Sequence, residues 1–283
     1  MMRARGMWKV RTGGSSARQR GMSLVELLVA MGLGLLLVVG IGTIYLGSRQ
    51  TYRMQEANAR LQETGRFALE VVGRSLRQAG ADANITANVA AVTTECLPTA
   101  TPACTPIGGT DNSTNGTSAD TMTVQYYAGQ EQPDSDGDGV RESRNCLGNV
   151  ANADQMVTET YDLSGDNLRC TATVGAAAAQ VQPLVANIED LQIVYGVDSD
   201  GDQSANSYTA TPTAGQWPNV VTARVCVMAR STETGLARSG QRPWDCPRLL
   251  GTAAGQPAAI ADTRLHRAFV ATYNLRNRIS NLP

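Results

Sequence analysis

From Leu27 to Ser48 the chain runs for 22 residues without a charge, almost all of them apolar, and charge returns at Arg49. Leu27–Leu46 alone spans about 30 Å as an α-helix, enough to cross the hydrocarbon core of a bilayer. Beyond it the pattern becomes amphipathic. Arg49, Arg53, Glu56, Arg60, Glu63, Arg66, Glu70, Arg74 and Arg77 recur at three- and four-residue steps, with Met54, Ala57, Leu61, Ala68, Val71, Val72 and Leu76 as the opposite, apolar stripe. Arg53–Glu56, Glu63–Arg66 and Glu70–Arg74 are the expected ion pairs. The first proline is Pro98, and Gly80 is a natural stop. The pattern predicts one helix from Met22 to Gln78, about 85 Å long. Within its first half Gly40 and Gly42 are expected either to soften the helix or to serve as small packing residues.

Period-two alternation takes over later. Met122, Val124 and Tyr126 alternate with polar neighbours, as do Leu191, Ile193, Tyr195 and Val197. Val221, Ala223, Val225 and Val227 form a third such run, and Phe269, Ala271, Tyr273 and Leu275 a fourth. Residues 86–118, rich in Thr, Ala, Asn and Gly, read as loop. One long helix followed by strands predicts an α+β fold in which an antiparallel sheet covers the helix stripe.

Charge gives this pattern an orientation. The first 21 residues hold Arg3, Arg5, Lys9, Arg11, Arg18 and Arg20 and no acid. Basic residues on that side of the span place the N-terminus in the cytoplasm and the remainder in the periplasm. From Met22 onward 18 Arg stand against 25 acids, a net of −7, which argues against sequence-independent binding to nucleic acid. Between leader and span lies Gly21-Met22-Ser23-Leu24-Val25-Glu26. A lone carboxylate at the mouth of an apolar segment costs about 2.5–3.5 kcal/mol on insertion scales, so a role for Glu26 is expected. An ordinary secretory signal would instead need a small-x-small cleavage site after the apolar core, and Gly40-Ile-Gly42 interrupts the run.

The Gly21/Met22 junction with Glu26 resembles the processing site of type IV prepilins and type II secretion pseudopilins. The resemblance implies cleavage between Gly21 and Met22 by a prepilin peptidase, N-methylation of Met22, and a subunit-docking role for Glu26. Tyr52-Arg53-Met54-Gln55-Glu56, Gly65 to Glu70, Asp190 to Asp198, Val220 to Val225 and the closing Leu275-Arg276-Asn277-Arg278 are similar to type IV pilus assembly protein W (PilW-like) minor pilins. This implies a pilin-like fold in four parts: a leader (1–21), a membrane or filament-core helix half (22–48), an amphipathic periplasmic half (49–80) and a β-rich domain (81–283). It further implies other minor pilins, the major pilin and the inner-membrane assembly platform as partners. A single-pass inner-membrane subunit would then pass to the pilus tip, initiating or capping assembly in support of motility and adhesion. A J-type pseudopilin of type II secretion is the alternative within the superfamily.

Six cysteines, Cys96, Cys104, Cys146, Cys170, Cys226 and Cys246, fall on the periplasmic side, where an even number reads as disulfides. Six allow fifteen connectivities; neighbour pairing (Cys96–Cys104, Cys146–Cys170, Cys226–Cys246) is the expectation. Two acidic loops are calcium candidates, because clustered carboxylates repel unless a hard cation neutralises them. Asp134, Asp136, Asp138, the carbonyl of Val140 and Glu142 form the first, and Asp198, Asp200 and Asp202 the second; the bland reading of either is a surface turn. The first departs from an EF-hand at Asn145, where the bidentate Glu would stand. Nothing suggests an organic cofactor. A membrane-anchored periplasmic enzyme is a further class, but no nucleophile motif or phosphate loop supports it, and His266 is the only histidine. An adhesin that uses calcium is compatible with the pilin reading.

Overall fold

The computed structural model describes residues 21–81, 83–84, 93–94, 96, 103–112, 119–128, 142–152 and 155–278. The chain divides into two units, Met1–Tyr52 and Arg53–Pro283. A single helix, α1 (Leu24–Gln78), runs unbroken, with no interruption at Gly40 or Gly42. In the first unit its apolar side chains are exposed, and the helix is long and apolar enough to cross a membrane.

In the second unit α1 buries one stripe: Ala57, Leu61, Gly65, Ala68, Leu69, Val72, Gly73, Ser75 and Leu76. The predicted stripe shares most of these positions, but Met54 is exposed and Val71 only half-buried. The helix ends where Gly80 takes a left-handed φ of 73°, a conformation open to glycine at little cost. The expected ion pairs are not the ones that form among the described residues. Glu56 pairs with Arg60 (2.6 Å), Glu70 with Arg77 (2.7 Å), and Arg53 with Glu233 (3.0 Å). Glu56–Arg60 has the favourable i,i+4 order, and exposed pairs of this kind contribute about 0–1 kcal/mol each.

Among the described residues thirteen strands follow: β1 (Ala83–Asn84), β2 (Thr93–Thr94), β3 (Ile107–Thr110), β4 (Thr121–Tyr127), β5 (Glu142–Arg144), β6 (Val150–Asn152), β7 (Met156–Ser164), β8 (Asn167–Val174), β9 (Gln180–Ala186), β10 (Ile188–Val197), β11 (Ser207–Thr209), β12 (Val220–Arg230) and β13 (His266–Asn274). A short helix, α2 (Cys246–Leu250), lies in the long connection from β12 to β13. The predicted loop at 86–118 therefore contains β2 and β3. The strands form a five-stranded sheet ordered β3-β4-β7-β8-β9, a four-stranded sheet ordered β11-β10-β12-β13, and the pairs β1-β2 and β5-β6. Every pairing among the described residues is antiparallel.

One apolar core joins the α1 stripe to Met122, Val124 and Tyr126 of β4, Val157 and Tyr161 of β7, and Leu191, Ile193 and Tyr195 of β10. Strand β10 departs from the half-buried alternation predicted for it: every residue from Leu191 to Val197 is buried. Its second face lies under a smaller cluster of Val194, Cys226, Met228, Cys246 and Leu250, supplied in part by α2. The Cys226–Cys246 bond, with Cα atoms 5.5 Å apart, holds α2 there. Val221 is half-buried because the pairing of β10 with β12 shifts register between Gly196 and Val197.

Candidate functional site

The amino-terminal end of α1 is built by a cap. Ser23 precedes the first helical turn, and its Oγ accepts a hydrogen bond from the Val25 N–H at 3.3 Å. Glu26 occupies the third position of the helix, so Ser23-Leu24-Val25-Glu26 has the spacing of a capping box, and the helix dipole favours an acid there. Glu26 and Met22 are exposed, and among the described residues no side chain hydrogen-bonds or ion-pairs with Glu26. A carboxylate beside an apolar helix and without a partner among the described residues is available to a cation from outside. Gly21 and Met22 precede the helix and are exposed; the leader residues 1–20 lie outside the described residues.

Of the two acidic loops, Asp134, Asp136, Asp138 and Val140 lie outside the described residues, and the backbone of Glu142 opens β5. The second loop is a tight turn after β10. Asp198, Asp200 and Asp202 each place a carboxylate oxygen within 4.8 Å of the others. Asp198 is nearly buried; its Oδ1 accepts from the N–H groups of Asp200 (3.1 Å) and Gly201 (2.7 Å), and its Oδ2 from that of Gln203 (2.8 Å). Burial works against its charge, but these backbone hydrogen bonds outweigh it and hold the carboxyl below the usual range. Gln203 stands at φ 67°, a left-handed conformation costly for a residue with a side chain. Oxygen donors of this kind suit calcium.

The other sequence runs acquire structural roles. In Asp190 to Asp198, Leu191, Ile193, Tyr195 and Val197 enter the core, while Gly196 lies beneath Tyr208 and the Thr222 hydroxyl, leaving no room for a side chain. In the closing run Leu275 is fully buried, and Asn277 Nδ2 reaches the last two carbonyls of α1, Arg77 (3.2 Å) and Gln78 (3.3 Å), and that of Ala79 just beyond it (3.3 Å). Those carbonyls have no partner within the helix, so Asn277 caps it from nearly 200 residues away. Cys96 is bonded to Cys104 and Cys146 to Cys170, with Cα separations of 4.8 and 6.6 Å.

His266 opens β13 with its ring buried between two acids, Nδ1 2.6 Å from Glu189 and Nε2 2.8 Å from Asp262. Burial opposes its charge, yet the hydrogen bonds and charges of Glu189 and Asp262 lift it above the ordinary imidazole value. Each ring nitrogen faces a carboxylate, so neither is left without a partner.

Two buried carboxylates escaped the sequence pattern. Asp120 receives the N–H of Ile193 (2.8 Å) and of Asn112 (3.2 Å), tying the start of β4 to β10. Burial pushes its pKa up to about 7, and the Asp111 charge adds to the rise against those hydrogen bonds. Because the folded value lies above the unfolded one, its contribution to stability is complete below about pH 4 and is lost as pH rises through about 7. Asp190, raised to about 6 chiefly by burial, acts in the same direction. Asp120→Asn keeps an acceptor for Ile193 and removes the charge. The melting temperature of the wild type should therefore fall between pH 4 and 7 more steeply than that of the variant; parallel profiles would refute the assignment. The second carboxylate, Glu159, is fully buried among donors from α1, β4 and the β5–β6 turn.

Two family descriptions match the sequence. "Type IV Pilus-assembly protein W" covers residues 149–277, and the "Prokaryotic N-terminal methylation motif" covers residues 16–42. The first takes in β6 to β13 and Asn277; the second takes in Gly21, Met22 and Glu26. Among solved structures, a type IV-like pilin from Thermus thermophilus aligns with 77% of this chain and 98% of its own at 13% identity and a TM-score of 0.48. No curated protein is similar enough in sequence to count as a relative.

Proposed function

We propose that the chain is a PilW-like member of the type IV pilin superfamily, a minor pilin that takes part in initiating or capping type IV pilus assembly, in support of motility and adhesion. A structural role of this kind needs no catalytic constellation. The observation that carries it is the pairing of a Gly21/Met22 junction that matches the methylation motif with a helix whose only acid before Glu56 is Glu26, which has no partner among the described residues. Cleavage would turn Met22 into a cationic amino terminus, and in a filament the Glu26 of one subunit would neutralise the terminus of its neighbour. In a dry helical bundle such a pair sets axial register, because an unpaired charge there is costly.

The proposed partners follow: a prepilin peptidase first, then other minor pilins, the major pilin and the inner-membrane assembly platform. The apolar half of α1 would anchor the subunit in the inner membrane, with its β-rich part in the periplasm, until it enters the pilus. Intact-mass analysis of the chain recovered from membranes should find it starting at Met22 and one methyl group heavier. A chain that keeps its basic leader, or that begins beyond Leu46, would defeat the proposal. Loss of surface pili with secretion intact, after deletion of the gene, would separate it from a type II secretion pseudopilin.

The acidic turns are proposed as calcium sites within this function. Calorimetry on the full chain in detergent should show heat on titration with millimolar calcium and a higher melting temperature. Both signals should weaken in Asp200→Asn, and their absence from the wild type would exclude the second loop.

A further inference from the structure

A buried polar centre lies beneath the C-terminal turns of α1. Glu159, on β7, is wholly enclosed. Its Oε1 accepts the Tyr126 hydroxyl of β4 at 2.8 Å and the backbone N–H of Cys146 at 2.7 Å. Its Oε2 accepts the Ser75 hydroxyl of α1, and Ser75 Oγ lies 2.7 Å from the Tyr161 hydroxyl. One side chain thus joins the helix, two neighbouring strands and the turn between β5 and β6. A carboxylate is an acceptor at every lone pair, so each lost donor leaves a buried acceptor unsatisfied, the costly outcome for a polar group inside a protein.

The donor from Cys146 is the one least secured by the sheet. It sits on the short β5–β6 hairpin, whose own hydrogen bonds are local: Asn145 Oδ1 accepts from the N–H groups of Leu147 and Asn149. The hairpin is linked to the five-stranded sheet by the Cys146–Cys170 disulfide to β8, by Asn149 Nδ2 to Gln180 Oε1 at 3.0 Å, and by packing of Ala151 in the core. The disulfide is the covalent link among these. It fixes the residue whose N–H completes the Glu159 shell, and Glu159 in turn receives Ser75 of the helix.

We propose that the Cys146–Cys170 bond is a redox-sensitive latch that controls how firmly the C-terminal turns of α1 seat on the sheet, with Glu159 as the positioning residue between them. Reduction by a dithiol delivers two electrons and two protons to the two sulfurs and leaves the dithiol as its own disulfide. The freed hairpin withdraws the Cys146 N–H, the carboxylate loses one of its donors, and the bond to Ser75 is left in a poorly satisfied site. The Cys226–Cys246 bond holds α2 on the far face of the four-stranded sheet, where it touches neither Glu159 nor Ser75.

Hydrogen exchange on the full chain in detergent tests this. In the C146S/C170S variant, amides of Leu69–Leu76 should exchange about tenfold faster than in the wild type while β10 and β12 keep their protection, since local opening is distinct from global unfolding. The C226S/C246S variant should not produce this selective change. Glu159→Met, of similar volume and with all three disulfides intact, should reproduce the loosening of α1. Adding C146S/C170S to Glu159→Met should then loosen α1 no further. Unchanged helix protection in C146S/C170S, equal loosening of every element, or full additivity in the combined variant would each overturn the latch. Should C146S/C170S fail to fold, Glu159→Met decides alone: selective loosening supports the latch, and unaltered protection overturns it.

Discussion

Gly73→Leu should cost the β-rich unit about 3 kcal/mol or more, the upper end of what overpacking does to a well-filled core. A Cβ at Gly73 would lie 2.5 Å from Cζ and 2.8 Å from the hydroxyl of Tyr273, deep inside that ring's contact distance. The ring has little freedom to yield, because its hydroxyl donates to the Leu69 carbonyl at 2.6 Å, one turn earlier in α1. Moving Tyr273 breaks that bond; moving α1 opens the core around Val72 and Leu76, both fully buried. A helix-forming residue would by itself favour α1 by about 1 kcal/mol over glycine, so the sign of the result separates propensity from packing. Thermal unfolding followed by circular dichroism should show a large drop in melting temperature, and a rise would mean that Tyr273 does not pack on Gly73. Gly65 faces Phe269 in the same way, with a Cβ placed 2.6 Å from Cγ. It lies two helical turns away, far enough for the two losses to be nearly additive.

Glu26→Ala should abolish incorporation of the subunit into pili while leaving membrane insertion and processing intact. Removing one partner of a buried ion pair costs about 3–5 kcal/mol, on the order of a hundredfold or more in a docking equilibrium. The cap at Ser23 complicates a single substitution, because an acid at this position also steadies the helix start. Glu26→Gln resolves the ambiguity: glutamine serves a capping box but carries no charge. Both variants should fail alike if the charge is what matters, as read by immunoblots of sheared pili against total membranes. Normal incorporation of Glu26→Gln would reduce Glu26 to a helix cap.

The acidic turns and the Gly21/Met22 motif are read directly from residue types in a row. So is the long helix: a charge-free run and then a stripe at three- and four-residue steps leave few alternatives, and α1 begins within two residues of the predicted start and ends at Gln78 as expected. The strand containing Met122, Val124 and Tyr126 was legible for the same reason, since one face is buried and the other is not. Strands such as β7 and β8 were not read, because a buried glutamate, Glu159, interrupts the apolar face of β7, and the buried face of β8 holds only Leu168, Cys170 and Ala172.

The chain's own order of residues therefore determined what is local: the membrane-length helix, the Gly21/Met22 motif and the stop at Gly80. Tertiary structure decided what depends on partners distant along the chain. Asn277 means nothing until the end of α1 lies beside it, Gly65 and Gly73 look like helix weaknesses until two aromatic rings of β13 press against them, and Glu159 looks like a surface acid until four elements close around it. The physical reason is the same in each case. Periodicity reports which side of an element meets apolar surroundings, whereas the satisfaction of a single buried polar atom, or the room for a single Cβ, is set by a neighbour whose identity only the packed chain reveals.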